Sequence, residues 1–83
     1  MYHIVFRRQA EKQLRKLATE QQKHVTEAID SLRSNPFQGK KLAGEYDGFW
    51  GMRVWPYRII YLIEKKKILI IIVRIGHRQG VYK

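Results

Sequence analysis

The sequence predicts an α+β fold: an N-terminal strand, a helical hairpin and a three-stranded antiparallel meander, in the order β-α-α-β-β-β, with both helices packed on one sheet face. Three observations predict it. Residues 48–77 read GFWGMRVW, PYRIIYLI, a charged turn EKKK and ILIIIVRIGH, rich in β-branched and aromatic side chains and interrupted only by a proline and the lysine turn. Residues 8–32 carry apolar side chains at the three-and-four spacing of amphipathic helices. Helical and extended stretches are segregated along the chain, which argues against alternating βαβ units.

Each element has its own signal. Residues 2–6 (YHIVF) alternate, with Tyr2, Ile4 and Phe6 on one face and His3 and Val5 on the other, and are expected to pair at the side of the meander. In the first helix Ala10, Leu14 and Leu17 form the apolar stripe while Arg7, Arg8, Lys12, Arg15 and Lys16 crowd the remainder. Thr19 with Gln22 three places on reads as a capping box for a second helix, whose stripe is Val25, Ala28, Ile29 and Leu32. Ser34-Asn35-Pro36 ends that helix, because proline disfavours helical geometry in the residue before it. Residues 37–47 (FQGKKLAGEYD) read as a loop, with Phe37 and Leu42 tucked against the core.

Within the meander, strict alternation puts Arg58, Ile60 and Leu62 on one face and Tyr57, Ile59, Tyr61 and Ile63 on the other. In the next strand Ile68, Ile70, Ile72 and Arg74 are expected opposite Leu69, Ile71, Val73 and Ile75. Trp50 is assigned to the core.

At 83 residues the chain is expected to form one domain, 1–83. It has no cysteine, which excludes disulfides, thiolate catalysis and Cys-based zinc sites. The longest apolar run, 68–73, is far short of the roughly 20 residues that span a bilayer, and the N-terminus lacks a signal-peptide layout. A cytoplasmic protein without membrane contact is the expectation.

Seventeen basic residues against seven acidic ones give a net charge of +10, which points to a polyanionic partner. Residues 48–83 hold eight Lys or Arg and one acid, Glu64, so the excess sits on the sheet half. Lys65, Lys66 and Lys67 read as solubilising residues of a turn. Arginine appears toward one end of each strand, and antiparallel pairing brings those ends together. Arg53, Arg58, Arg74, His77 and Arg78 are therefore expected to cluster at the sheet end opposite the lysine turn. Crowded like charges repel, so such a cluster is useful only with an anion or with carboxylates, and Glu45 and Asp47 are the internal candidates. His3 and His24 are isolated, and no metal and no cofactor is expected.

These residues resemble the RelE/ParE superfamily of toxins from bacterial and archaeal toxin–antitoxin modules. The resemblance covers the whole chain and is carried by KLAG at 41–44, GFW-x-x-RV at 48–54, YRIIY at 57–61 and RIGHRQGVY at 74–82. It implies a basic sheet face that, in RelE-like members, cleaves mRNA in the ribosomal A site without a metal: a ribose 2′-OH attacks the adjacent phosphate. Such a site needs a proton acceptor, cationic stabilisation of the phosphorane and an acid for the leaving oxygen.

By that resemblance Arg58 and Arg78 hold the phosphate, Tyr82 orients the nucleotide, and Arg53 lies on the strand that supplies the proton acceptor. His77 sits where a basic residue is common, and histidine is the side-chain type suited to proton transfer near neutrality. Lys40, Lys41, Trp55, Arg74 and Lys83 complete the expected RNA contacts, Trp55 by stacking on bases. The resemblance further implies a cognate antitoxin as partner, an acidic segment covering this surface, together with ribosomal RNA contacts. Two departures stand out. RelE proper has lysines on the Gly51–Arg53 strand where this chain has Gly51 and Arg53, and the sequence stops at Lys83, directly after the tyrosine. The alternative is a ParE-like toxin that shares the fold and poisons DNA gyrase, or a basic nucleic-acid-binding module.

Overall fold

Alternation of apolar side chains along residues 50–77 builds the centre of the molecule, a sheet with one face buried under two helices. The computed structural model describes residues 1–77 of the 83. In chain order the elements are β1 (His3–Phe6), α1 (Arg8–Arg15), α2 (Thr19–Ser31), β2 (Lys40–Lys41), β3 (Trp50–Val54), β4 (Tyr57–Glu64) and β5 (Leu69–His77). Single 3₁₀ turns at Pro36–Gln38 and Gly44–Tyr46 flank β2. The α+β class and the antiparallel β3-β4-β5 meander are as the sequence predicts.

The strands form one sheet in the order β1-β5-β4-β3-β2. β1 runs parallel to β5, with His3 opposite Leu69 and Phe6 opposite Ile72. All other pairings are antiparallel. The fifth strand, β2, is two residues long and lies inside the stretch read as loop. Gly39 permits it: a Cβ there would meet the Gly51 carbonyl oxygen and the Tyr61 hydroxyl at 2.6 Å, so only glycine lets this segment close on β3.

The helices cover one sheet face. Ala10 of α1, Val25 and Ile29 of α2, and Leu32 just beyond it, pack against Met52, Val54, Ile59, Tyr61, Ile70, Ile72 and Ile75. Both predicted helical stripes are therefore core, with Leu14, Leu17 and Ala28 partly buried at its margin. Tyr61 anchors the layer. Its hydroxyl donates to the Pro36 carbonyl at 2.8 Å and accepts from the Gly39 N–H, tying the segment before β2 to the central strand. No helix among the described residues is long and apolar enough to cross a membrane.

Four local expectations are corrected. The capping box does not form: Ala18 is the N-cap of α2 and makes no side-chain cap bond, while Gln22 turns back to donate to the Arg15 and Leu17 carbonyls. Phe37 is 44% exposed, set edge-on to Trp50 at 5.5 Å with Lys65 over its ring, because the 3₁₀ turn holds it outside the core. Ile68 belongs to the β4–β5 turn, with φ +53° and about half its surface exposed.

The fourth correction concerns facing. Tyr61 opposes Ile72 but Ile60 opposes Arg74, so Val73 is an extra residue, a β-bulge. Were Val73 paired regularly, alternation would send Arg74 into the core beside Ile72. Bulging out Val73 keeps the arginine on the other face.

Candidate nucleic-acid interface

Residues directly opposite in a sheet project to the same side, so the strand register maps the face away from the helices. Across the sheet run two adjacent rows. One consists of Lys40, Gly51, Ile60 and Arg74 on β2, β3, β4 and β5; the next consists of Arg53, Arg58 and Gly76 on β3, β4 and β5. Four cations thus surround a floor made from two glycines and one isoleucine. Ile60 is fully buried and stands apart from the helix-side core. Arg58 and Arg74 are half-buried with their Nε atoms withdrawn from water, whereas Arg53 is exposed.

Arg53 and Arg58 are direct cross-strand partners. Such pairs have Cβ atoms about 4.5–5.5 Å apart, and like charges placed there destabilise a sheet. Glu45 and Asp47 are both exposed and form no ion pair with Arg53. On the helical side, Arg15 pairs with Glu11 and Arg33 with Asp30.

The same arginines border a groove of about 670 Å³ that follows the edge of β3. β2 pairs only with Trp50 and Gly51, so the remainder of β3 has no strand beyond it among the described residues. Trp55 leads into the β3–β4 hairpin turn, which carries a cis Trp55-Pro56 peptide, and is 60% exposed at the groove mouth. Across the groove from these strands, α2 supplies His24, Ala28 and Ser31.

The expected site residues therefore separate. Arg53, Arg58, Arg74 and Lys40 share one face, and Trp55 lines the groove beside them. Lys41 pairs with Trp50, so it projects to the helix side, with its ammonium 5.9 Å from that indole. His77 lies within β5 opposite Tyr57, and alternation carries its ring to the helix side too, edge-on to Tyr57 at 6.0 Å. The expectation that it joins the arginines is corrected to this placement, the reason being that β5 runs on to residue 77 and alternates it to the helix side. Arg78, Tyr82 and Lys83 lie outside the described residues.

Two contributors escaped the sequence reading. His24 was isolated in the sequence, yet its i+4 and i+7 spacing to Ala28 and Ser31 puts all three on one helical flank, a signal a helical wheel would have shown. Gln13, a polar residue on α1, accepts a hydrogen bond from the Ile75 N–H at 2.7 Å, and nothing in the sequence marks it.

Comparison with known proteins places this geometry. The family described as "ParE toxin of type II toxin-antitoxin system, parDE" matches residues 4–82. The chain belongs to that toxin family. Among curated relatives the toxin is similar to "Putative toxin RelE1" of Methanocaldococcus jannaschii, 29% identical over 87 residues that cover 99% of this chain and 96% of the relative.

Two solved structures place the toxin on the RelE-like side of the superfamily. A chain of the toxin–antitoxin complex RelBE2 from Mycobacterium tuberculosis superposes with a TM-score of 0.85 at 32% identity, covering 93% of the toxin and 98% of that chain. A chain of the archaeal RelE–RelB complex from Pyrococcus horikoshii superposes at 0.79 with 28% identity and 98% coverage of both.

Proposed function

We propose that the toxin is a metal-independent endoribonuclease that cuts mRNA in the ribosomal A site, by attack of a ribose 2′-OH on the adjacent phosphate, and so halts translation. One observation carries the reading. Arg53 and Arg58 stand directly opposite each other on the open sheet face, with Arg74 and Lys40 in the next row, and no carboxylate among the described residues pairs with Arg53. Two planar, permanently charged forks side by side suit a phosphate that gains charge as a phosphorane forms. In this reading Arg53 and Arg58 grip the scissile phosphate, and Arg78, by resemblance, joins them. Proton transfer, by the family resemblance, falls to Tyr82.

An antitoxin partner follows from the same surface. The similar chains from M. tuberculosis and P. horikoshii were solved in complex with RelB-type partners. A segment bearing carboxylates would neutralise the arginine rows here and block access to them.

A second reading has its own support. Gly51 puts no side chain between Lys40 and Ile60, where RelE proper is expected to carry lysine, and the matching family is described by its ParE member. Poisoning of DNA gyrase would need no general base on that strand. Primer extension on an mRNA in a reconstituted translation system, with and without ribosomes, separates the two. Cuts confined to translated codons, and lost in Arg58→Ala, support the nuclease. Intact message with stalled gyrase–DNA complexes overturns it.

A further inference from the structure

The groove along β3 is longer than one phosphate requires. It begins at Arg53 and Arg58, passes the outer edge of Met52 and Val54, and reaches His24 on α2. Its volume of about 670 Å³ falls in the range of roughly 300–1,000 Å³ that accommodates whole organic ligands. Its ionisable side chains are Lys40 from β2, Arg53 from β3, Arg58 from β4 and His24 from α2, without a carboxylate among them. Trp55, at its mouth, offers an exposed ring. His24 itself is exposed and has no hydrogen-bond or ion-pair partner among the described residues. Cations along a track with an exposed aromatic at its side are the combination that holds single-stranded nucleic acid: charge follows the backbone and the ring stacks on a base.

We propose that single-stranded RNA leaving the arginine pair runs along the β3 edge toward α2, with the nucleotide next to the cut held between Trp55 and His24. This rests on the nuclease reading and adds to it a second contact region. His24 here is a positioning residue: it fixes the strand so that the scissile phosphate lies against Arg53 and Arg58, and takes no part in the proton transfers. An acidic extended peptide could occupy the same edge, but a peptide strand would find its hydrogen-bonding partner in β3 alone and would need neither the imidazole nor the indole. Their placement favours a nucleotide.

The test is cleavage of mRNA on reconstituted ribosomes as a function of toxin concentration, for wild type, His24→Ala, His24→Gln, Trp55→Ala and Arg58→Ala. Melting curves confirm that the exposed His24 variants fold. In parallel, an mRNA blocked at the cut site with a 2′-O-methyl group carries 4-thiouridine at the neighbouring nucleotide, for photocrosslinking. The expected result is that His24→Ala and Trp55→Ala raise the half-saturating concentration on the order of tenfold, keep the plateau rate, and lose the crosslink to α2. His24→Gln, which retains a hydrogen-bonding group, recovers part of the loss. If Arg58→Ala abolishes cleavage while His24→Ala matches wild type, the contact is overturned and the nuclease reading stands. A His24→Ala variant that loses the plateau rate instead overturns the positioning role. If Arg58→Ala also cuts like wild type, the nuclease reading falls and this inference falls with it.

Discussion

The side-chain carbonyl of Gln13 accepts the backbone N–H of Ile75 at 2.7 Å, joining α1 to β5 at the point where β1 has run out. The last β1 contact is the Arg7 N–H to the Ile72 carbonyl, so the outer edge of β5 beyond it lacks a strand partner among the described residues. Ile75 lies between Arg74 and Gly76, in the part of β5 that pairs with the β4 segment bearing Arg58. Gln13→Leu removes the acceptor and leaves a part-buried donor unsatisfied, an expected loss of about 1–3 kcal/mol. Gln13→Glu keeps an acceptor and should lose much less. Hydrogen exchange of the Ile75 amide, read residue by residue, checks this, because it should accelerate in the leucine variant alone.

Tyr61 gives a second prediction, with a pH signature. Its phenol is pushed above the ordinary value of 10.0 by burial, and the Gly39 hydrogen bond works against that shift. A phenol that ionises later in the folded state contributes stability fully below the unfolded value, and the contribution is lost as pH rises through the folded one. Alkaline unfolding should therefore set in above pH ~10 and be flatter in Tyr61→Phe. At neutral pH the same substitution removes the 2.8 Å bond to the Pro36 carbonyl and should cost about 1–2 kcal/mol in urea titration. Gly39→Ala should cost more, since its Cβ would press on backbone at 2.6 Å.

The sequence revealed most where periodicity is strong. The apolar stripes of both helices, the meander and the segregated α+β order all follow from burial of one face per element. What it hid is geometry that depends on partners distant in sequence. Val73 is one more β-branched residue after the isoleucines 70–72, so its bulge, and with it the face of Arg74, could not be read from alternation. β2 has two lysines and no strand propensity; it exists because Gly39 allows a close approach to Gly51. His77 parts from the arginine cluster because β5 runs on through Gly76 to residue 77, where alternation turns its ring to the helix side. The arginine pair itself was legible, since Arg53 and Arg58 flank a hairpin turn symmetrically.

That pair predicts opposition between stability and activity. Arg53 and Arg58 face each other as like charges, so Arg53→Ala should stabilise the fold by about 0.2–1 kcal/mol while weakening cleavage. The gain should shrink in high salt, where exposed charges are screened. Urea titrations at two ionic strengths measure it, and a loss of stability on removing Arg53 would show that an anion or carboxylate already compensates the pair.

Ile68 gives a prediction independent of the site. It occupies the left-handed region at φ +53° in the turn between β4 and β5, a conformation that costs a β-branched residue on the order of 1–2 kcal/mol. Its side chain is about half exposed and is not part of the core cluster. Ile68→Gly should raise stability by roughly 0.5–1 kcal/mol, and Ile68→Asn by somewhat less. A lower melting temperature in both would mean that the isoleucine side chain contributes more than its backbone costs.

Deletion of Val73 tests the bulge directly. In the present register Ile72 opposes Tyr61 and Arg74 opposes Ile60, with Val73 spare between them. Removing it leaves Ile72 in the core and Arg74 on the open face with regular alternation, so the deleted chain should fold with both cross-strand pairs intact. The alternative is a slip in which residues on one side of the deletion shift by one, sending either Ile72 outward or Arg74 inward. That would bury a guanidinium or expose a core isoleucine, at a cost of several kcal/mol. Cross-strand contacts from Ile72 to Tyr61 and from Arg74 to Ile60 in NMR spectra decide between the two. If both persist and cleavage falls, the bulge is needed for the local twist that aims Arg74, since bulges increase strand twist where they occur.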